Sequence, residues 1–445
     1  MKEVMNQTKR VGDRCDKHHF LQLVGLGILV FWAIYQPVFP RLNSTYYIAG
    51  LGTISLFLFG KVADIRKTRE GKLTGILICL EVYLVAVVLL FKGDITLLKQ
   101  PIHVFFSLLY VYGLKMYGHS CDVTKDEMRE VIINTGLIQS AICVLMCISI
   151  PLREINWKYI ISTVADPEQK AYFESIAVFR YYGVAGINQY LSSIGTVSAL
   201  LFLFSLFYSI ELQSKILFIK ALILLIPTIL DARTGVVCAF IGAIVLLLYY
   251  LRDNWKKNVQ RILKAGAGIL AWMLVAYKVI QNEYFHVFTT VKETIAPDEH
   301  RAAKEWSSQT VTAIKDLAVQ NTTSKEYEWY GGLLPSNWAI PHGIRFFVGE
   351  GRIPEIVYQP GDMIGRTDAG FARLICVGGI ILLVLQLIAL FETVKIKKDS
   401  KRERPLIYAI LACFLAAEMK GSVYLQTAVI MVILLILHCV MDDVV

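Results

Sequence analysis

The feature that most constrains this chain is a series of long apolar runs that follow one another along almost its whole length. A helix needs about 20 largely apolar residues to cross the hydrocarbon core of a bilayer. The runs that approach this length are 20–36, 46–60, 73–91, 102–118, 131–150, 189–210, 216–230, 235–251, 265–281, 371–391, 405–419 and 423–440. The sequence therefore predicts an all-α, polytopic integral membrane protein with about 12 transmembrane helices.

Composition supports a lipid environment. Charged residues make up 18% of the 445 residues, below the roughly 25% that is usual in soluble domains. There are too few charged residues to cover the surfaces of two or three soluble domains, so the lipid bilayer is the expected partner. The formal net charge of +9 falls in short loops between the apolar runs. It therefore indicates membrane topology and no nucleic-acid partner.

The positions of lysine and arginine predict the orientation. Loops 61–72, 252–264 and 395–404 are rich in both residues. Loops 37–45, 92–101 and 231–234, which the span count assigns to the opposite side, contain few. Positively charged loops remain on the cytoplasmic side, so both termini are expected in the cytoplasm. Two longer segments, roughly 151–188 and roughly 282–370, are then expected on the outer side.

The second outer segment divides the chain into three parts. Residues 1–281 form a bundle of spans 1–9, residues 282–370 form a large outer loop, and residues 371–445 contain spans 10–12. The loop is rich in aromatic residues, so it is expected to fold. Apolar residues recur at helical spacing from Asp298 to Gln320, which predicts an amphipathic helix.

The sequence lacks the common motifs for metal binding, nucleotide binding and hydrolysis. The chain has no cysteine–histidine cluster with zinc spacing, no DxD pair in an outer loop, and no P-loop, GxGxxG or GxSxG motif. We therefore expect neither a metal nor a cofactor, and the motifs of ATPases, dehydrogenases and typical hydrolases are missing. Most of the nine cysteines fall inside apolar runs, where a thiol acts as a small hydrophobic side chain.

A set of short motifs occurs in order along the second half of the chain. They are Phe179-Arg180-Tyr181-Tyr182-Gly183-Val184, Asp231-Ala232-Arg233-Thr234-Gly235, Arg301 with Trp306, Phe347-Val348-Gly349-Glu350-Gly351, Thr367-Asp368-Ala369-Gly370-Phe371, and Gly378-Gly379. This order resembles the O-antigen polymerase and O-antigen ligase superfamily of polytopic glycosyltransferases. The resemblance covers about Arg180 to Gly379.

The resemblance implies a GT-C-like membrane fold in a bacterial inner membrane, with the large loop in the periplasm. It implies transfer of a glycan from a polyprenyl-diphosphate-linked oligosaccharide to a sugar hydroxyl on another glycan. A protein that regulates chain length is an implied partner. Ligases of this family carry a His-Asn pair where this chain has Thr367-Asp368, which favours the polymerase.

The chemistry of a diphosphate leaving group guides the choice of site residues. Arginine binds phosphate oxygens through a planar fork that is always charged. The candidates for diphosphate or glycan binding are Arg180, Arg233, Arg301, Arg345, Arg366 and His342. The alternative for each arginine is contact with lipid headgroups.

The acceptor hydroxyl calls for a general base. Asp368 is the first choice for this base. The catalytic candidates are therefore Asp368, as the base, and Arg233, which would bind the leaving group. The alternative for Asp368 is to cap the helix that follows it. His342 and Glu350 are weaker candidates for the base.

Two other functions fit parts of the sequence. A transporter or flippase of lipid-linked oligosaccharides would have ionisable residues deep in its spans. Glu81 is the one such residue near the middle of a well-defined span, and Glu418 and Lys420 lie close to the outer end of the eleventh. An O-antigen ligase would share the architecture of a polymerase and differ in its acceptor.

Overall fold

The structure is a computed structural model. It describes residues 17–37, 69–162, 183–184, 192–230, 233–253, 266–269, 271, 340–352, 370–394, 402–420 and 427–441. The predicted span 46–60, most of the span 265–281 and the amphipathic helix predicted from Asp298 to Gln320 lie outside these residues.

The described part of the chain is helical and contains no strand. In chain order the helices are α1 (Lys17–Tyr35), α2 (Arg69–Leu90), α3 (Lys99–Ser120), α4 (Lys125–Ile148), α5 (Ile150–Ser162), α6 (Ser192–Glu211), α7 (Lys215–Leu224), α8 (Ile226–Leu230), α9 (Arg233–Asp253), α10 (Ile344–Val348), α11 (Gly370–Val394), α12 (Arg404–Lys420) and α13 (Thr427–Met441). A 3-10 turn, Ile95–Leu98, precedes α3.

Helices coincide with ten of the twelve predicted spans. Four of them are long and apolar enough to cross a membrane, namely Lys125–Met146, Ser193–Glu211, Thr234–Arg252 and Gly370–Glu392. Two shorter apolar helices cover His19–Tyr35 and Ile78–Leu90. The described residues are therefore consistent with the expected all-α membrane protein, while the total of about 12 spans remains a prediction.

Two elements differ from the expected pattern. The predicted span 216–230 is divided at Leu225 into α7 and α8. Pro227 is the second residue of α8, in the first turn, where the missing N–H breaks no helical hydrogen bond. The expected outer segment 151–188 begins with α5, which starts only two residues after α4 ends.

The core of the bundle lies around α6 and α13. In α13 every side chain from Val429 to Leu437 is buried. Helix α6 packs against α4, α7, α8, α9, α12 and α13, and α13 also packs against α1, α3 and α4. Both helices are apolar on all sides, which is the pattern of a helix enclosed by others.

The surrounding helices carry apolar stripes that no described residue covers. Exposed side chains recur at helical spacing on three of them, namely Ile216, Ile219 and Ile223 on α7, Val237, Phe240, Ile244 and Leu248 on α9, and Ile381, Val384, Ile388 and Phe391 on α11. Water-soluble monomers rarely expose extended apolar patches. Such stripes are typical of helix faces that contact lipid.

Small residues allow the helices to approach one another closely, as is common in membrane bundles. The start of α9 crosses α6 at Gly235, where an added Cβ would lie 2.5 Å from the carbonyl oxygen of Gly195. Further along α9, a Cβ on Gly242 would lie 2.4 Å from the Leu203 side chain. The α6–α9 interface therefore depends on the absence of side chains at these positions.

One end of the bundle is joined by contacts between polar and charged side chains, and we call it the basic end. Its contacts are His19 Nε2 with Glu127 Oε1 (2.9 Å), Lys220 Nζ with Glu130 Oε2 (2.5 Å) and Arg402 Nε with Glu211 Oε2 (2.6 Å). They join the first two turns of α4 to the start of α1 and to the middle of α7, and they connect the end of α6 to the residues before α12. In the topology predicted from the sequence, these ends of the helices all lie on the cytoplasmic side.

Candidate functional site

The strongest candidate site lies where the segment 343–352 packs into a break in α11. The break falls at Gly378 (φ −137°, ψ 15°) and Gly379 (φ 66°, ψ −169°). The positive φ of Gly379 is readily adopted only by glycine. We call this region the glycine junction, and it comprises Tyr83, Gly93, Asp94, residues 343–352 and residues 376–379.

The inserted segment satisfies backbone groups that the break releases. The carbonyl oxygen of Cys376 accepts a hydrogen bond from the N–H of Glu350 at 2.8 Å, and that of Val377 accepts one from Gly351 at 2.9 Å. The carbonyl oxygen of Gly351 in turn accepts a hydrogen bond from the N–H of Asp94 at 2.7 Å. Unpaired backbone groups are costly in an apolar environment, so these bonds stabilise both the break and the segment.

Tyr83 on α2 ties the two sides of the junction together. Its hydroxyl oxygen lies 2.8 Å from the carbonyl oxygen of Gly378 and 3.1 Å from that of Val348. The hydroxyl has one proton, which the two carbonyl groups share. Helix α2 thus contacts both the broken helix and the inserted segment through one side chain.

Glycine is required at the junction because the backbones approach closely. An added Cβ on Gly379 would lie 2.1 Å from the carbonyl oxygen of Phe347. A Cβ on Gly349, where φ is 80°, would lie 2.5 Å from the Cα of Gly378, and a Cβ on Gly93 would lie 2.2 Å from the carbonyl oxygen of Gly351. These distances leave no space for a side chain.

The junction lies well inside two apolar helices, one of which is long enough to cross a membrane. Gly378 is eight residues from the start of α11, about 12 Å along the helix at about 1.5 Å per residue. Tyr83 is seven residues from the end of α2, or about 10 Å by the same measure. Non-helical backbone at such a depth is tolerated only where it is buried in protein or lines a cavity. The break therefore identifies this end of the bundle as a candidate site.

Charged side chains lie beside the junction, on the inserted segment. Arg345 Nη1 lies 3.2 Å from Glu350 Oε1, and both side chains are open to solvent, with 59% and 39% of their surface exposed. Arg352 Nη2 donates a hydrogen bond to the carbonyl oxygen of Lys92 at 3.3 Å. His342 is exposed just before α10. Guanidinium and carboxylate groups are suited by their chemistry to bind anionic and hydroxyl-bearing ligands.

A second contact with the bundle involves the short piece Gly183-Val184, which lies against α4 and α5. Gly183 has a φ of 64°, and its carbonyl oxygen accepts a hydrogen bond from Asn156 Nδ2 on α5. The N–H of Val184 donates to Oε1 of Gln139 at 3.4 Å. Gln139 is fully buried in α4. The motif at 179–184 thus includes two residues that contact polar side chains of α4 and α5, one of which is fully buried.

The sequence-predicted site residues fall into three groups. Arg345 and His342 lie on the segment of the glycine junction, and Arg233 is the first residue of α9, near the crossing of α9 with α6. Arg180, Arg301, Arg366 and Asp368 lie outside the described residues. Of the predicted motifs, the structure brings residues 347–351 into direct contact with Gly378-Gly379.

Sequence reasoning missed Tyr83, Gly93 and the break in α11. A hydroxyl in an apolar span needs a hydrogen-bond partner, so Tyr83 carried a usable signal. The pair Gly378-Gly379 carried a second signal, because sharp changes of helix direction occur at glycine pairs. Gly93 carried none, since a glycine after a span is typical of any turn.

Within the described ranges, no group of three or more histidine, cysteine, aspartate or glutamate residues could hold a metal ion. Comparison of the chain with protein-family models, with curated proteins and with solved structures gave no match.

Proposed function

We propose that this chain is a membrane glycosyltransferase that polymerises a surface polysaccharide such as O-antigen. It would join repeat units carried on a polyprenyl diphosphate. The observation that carries the proposal is the glycine junction, where charged side chains lie beside non-helical backbone inside an apolar helix. A lipid-linked donor has its diphosphate at the membrane surface, so an enzyme for it needs polar groups at the mouth of an apolar bundle.

The donor diphosphate is bound by arginine in this proposal. Arg345 is exposed at the junction and can present its guanidinium fork to phosphate oxygens. Arg233 lies at the start of α9, where it follows a predicted outer loop. The other proposed contacts to diphosphate or glycan are Arg180, Arg301, Arg366 and His342.

The proposed reaction is a single glycosyl transfer. The acceptor hydroxyl oxygen attacks the anomeric carbon of the donor sugar, and the bond from that carbon to the diphosphate oxygen breaks. Asp368 takes the proton of the hydroxyl as general base, and the bonding electrons leave with the diphosphate. Arginine stabilises the charge that develops on the leaving group.

The proposed location is the bacterial inner membrane, with both termini in the cytoplasm and the glycine junction facing the periplasm. Its basic end would then face the cytoplasm, as expected for positively charged loops. A chain-length regulator is the proposed protein partner. We propose no cofactor.

Deletion of the gene in its host tests the reaction, with the surface lipopolysaccharide analysed by gel electrophoresis. Lipid A core that carries a single repeat unit is the expected result, because transfer to the core would continue without polymerisation. Core without any repeat unit would contradict the proposal. Long polymer that accumulates on the carrier lipid would then identify an O-antigen ligase.

Arg233→Ala tests the proposed site within the intact protein. We expect loss of chain growth at a normal protein level, since the substitution removes a contact to the diphosphate. Arg252→Ala is the matched control, because Arg252 lies at the opposite end of the same helix and should leave polymer length unchanged. Normal polymer length in Arg233→Ala would remove Arg233 from the site.

A flippase or transporter is the second candidate, and buried polar atoms favour it. Among the described residues, Glu81 Oε2 on α2 and Gln386 Oε1 on α11 are buried without a hydrogen-bond partner. Polar groups inside a membrane bundle often mark a substrate pathway. Purified protein that moves lipid-linked oligosaccharide across liposomes, yet never lengthens a glycan, would establish this function instead.

A further inference from the structure

The ion pair between Arg345 and Glu350 has a geometry that bears on how the proposed site would turn over. Each partner belongs to a segment with a fixed backbone. The carbonyl oxygen of Arg345 accepts a hydrogen bond from the N–H of Gly349 at 2.7 Å, and the N–H of Glu350 donates to Cys376 at 2.8 Å. Only the two side chains have to move for the pair to form or to open.

The pair is weak enough for a ligand to displace it. A single guanidinium nitrogen makes the contact, at 3.2 Å, which is longer than the roughly 2.7–2.9 Å of a strong charge-assisted hydrogen bond. Both side chains are substantially exposed, and exposed ion pairs contribute little to stability. A diphosphate offers several charged oxygens and can engage both prongs of the guanidinium.

We propose that Glu350 is an internal competitor for the donor diphosphate at Arg345. This inference rests on the proposed function. The carboxylate occupies the guanidinium in the empty site and yields it to the incoming donor. It then competes for the guanidinium again when the product is ready to leave.

Competition of this kind addresses a problem inherent in the reaction. Cleavage of the bond to the sugar leaves a polyprenyl diphosphate with an additional ionisable oxygen. The product therefore binds arginine at least as tightly as the donor does, and it would block the site. A carboxylate anchored five residues from Arg345 raises the rate of release because it is present at a high effective concentration.

The test measures the affinity of farnesyl diphosphate, a short polyprenyl diphosphate, for the full-length protein in lipid nanodiscs. For Glu350→Gln we expect binding about three- to fivefold tighter than wild type, because the competing anion is removed. For Arg345→Gln we expect binding at least about tenfold weaker. In the double variant the Glu350 substitution should have no further effect, because the guanidinium for which it competes is gone.

Two control variants separate competition from damage to the fold. Glu350→Asp keeps the carboxylate and should bind the probe within about twofold of wild type. Glu130→Gln makes the same chemical change in a partly buried ion pair with Lys220 at the basic end, and it should leave probe binding unchanged.

The outcomes distinguish this inference from the function on which it rests. Unchanged or weaker binding by Glu350→Gln would overturn the role of Glu350 and leave the proposed function in place. Tighter binding that persists in the Arg345→Gln background would also overturn it, since a general electrostatic effect would then be the cause. Failure of the wild-type protein to bind the probe would reject the donor class, and both proposals with it.

Discussion

The two ends of this bundle are held together by different means. At the basic end, side chains bridge helices whose backbones stay regular, as in the contacts of His19 with Glu127 and of Arg402 with Glu211. At the glycine junction, backbone groups bond to one another where glycines let the elements approach, and the Tyr83 hydroxyl adds one side-chain bond. The first arrangement tolerates changes in shape, whereas the second requires one particular backbone geometry.

This difference indicates that function constrains the glycine junction more than the basic end. A side-chain ion pair can be lost while the helices that it joins remain in place. A broken helix with an inserted segment has no such reserve, because each freed carbonyl group depends on a particular N–H or hydroxyl. A bundle needs no broken helix for stability alone, and broken helices in membrane proteins commonly line binding sites. Substitutions at the two ends should therefore differ in effect.

The largest effect is expected at Gly379. Gly379→Ala should destabilise the protein by about 3 kcal/mol or more and abolish polymer formation, because the new Cβ would overlap the carbonyl group of Phe347 and strain a residue with positive φ. Thermal unfolding in detergent and gel analysis of the polysaccharide measure the two effects. Gly27→Ala on α1 is the control, since a Cβ there meets nothing within 4 Å. Equal behaviour of the two variants would contradict the importance of the junction.

An intermediate effect is expected from Tyr83→Phe. Loss of the hydroxyl leaves the carbonyl groups of Gly378 and Val348 without this donor, at a cost of about 1–3 kcal/mol. Polymer length should fall as well, because the inserted segment loses its tie to α2.

Tyr110→Phe is the matched control for this prediction. The Tyr110 hydroxyl donates to the carbonyl oxygen of Leu29 at 2.9 Å, away from the junction and between α3 and α1. We expect a similar loss in the thermal midpoint with normal polymer length. Shortened polymer in both variants would mean that stability, and not the junction, limits chain growth.

The smallest effect is expected at the basic end. Arg402→Gln should reduce the free energy of unfolding by no more than about 1 kcal/mol, because the Arg402 side chain is largely exposed. Polymer length should not change. The hydrogen bond to Glu211 raises the pKa of the Arg402 guanidinium, so this arginine stays charged near neutral pH.

Glu211→Gln sharpens this prediction. Glu211 accepts hydrogen bonds from both the Tyr250 hydroxyl (2.5 Å) and Arg402 (2.6 Å), so its substitution should cost more stability than that of Arg402. Melting curves of both variants in the same detergent give the comparison. A loss of polymer in Arg402→Gln at a normal melting temperature would show that the basic end also has a part in the reaction.

Much of the fold could be predicted from the sequence, because burial in lipid requires continuous apolar helices. The positions of ten predicted spans followed from that requirement alone. The break in α11 did not, since hydropathy averages over a window and the run around Gly378-Gly379 is apolar on both sides. Tyr83 was passed over for the same reason, as one hydroxyl hardly changes the hydropathy of a span.

The site was predicted less completely than the fold. The motifs at 347–351 and 378–379 were both noted in the sequence, and Arg345 and His342 were chosen as candidates from the outer loop. That the two motifs pack against each other, and that Glu350 pairs with Arg345, did not follow from their spacing. Contacts between residues far apart in the chain depend on how whole helices pack.

By itself, the sequence determined the class of this protein, the positions of most of its helices and the basic loops that distinguish its two ends. These properties follow from the transfer of side chains between water and lipid, which each segment experiences separately. Only the tertiary structure decided where α11 breaks, which segment fills the break and which carbonyl groups receive the Tyr83 hydroxyl. Those features arise from close approach of backbones on different elements, and glycine is permissive for such contacts without specifying the partner.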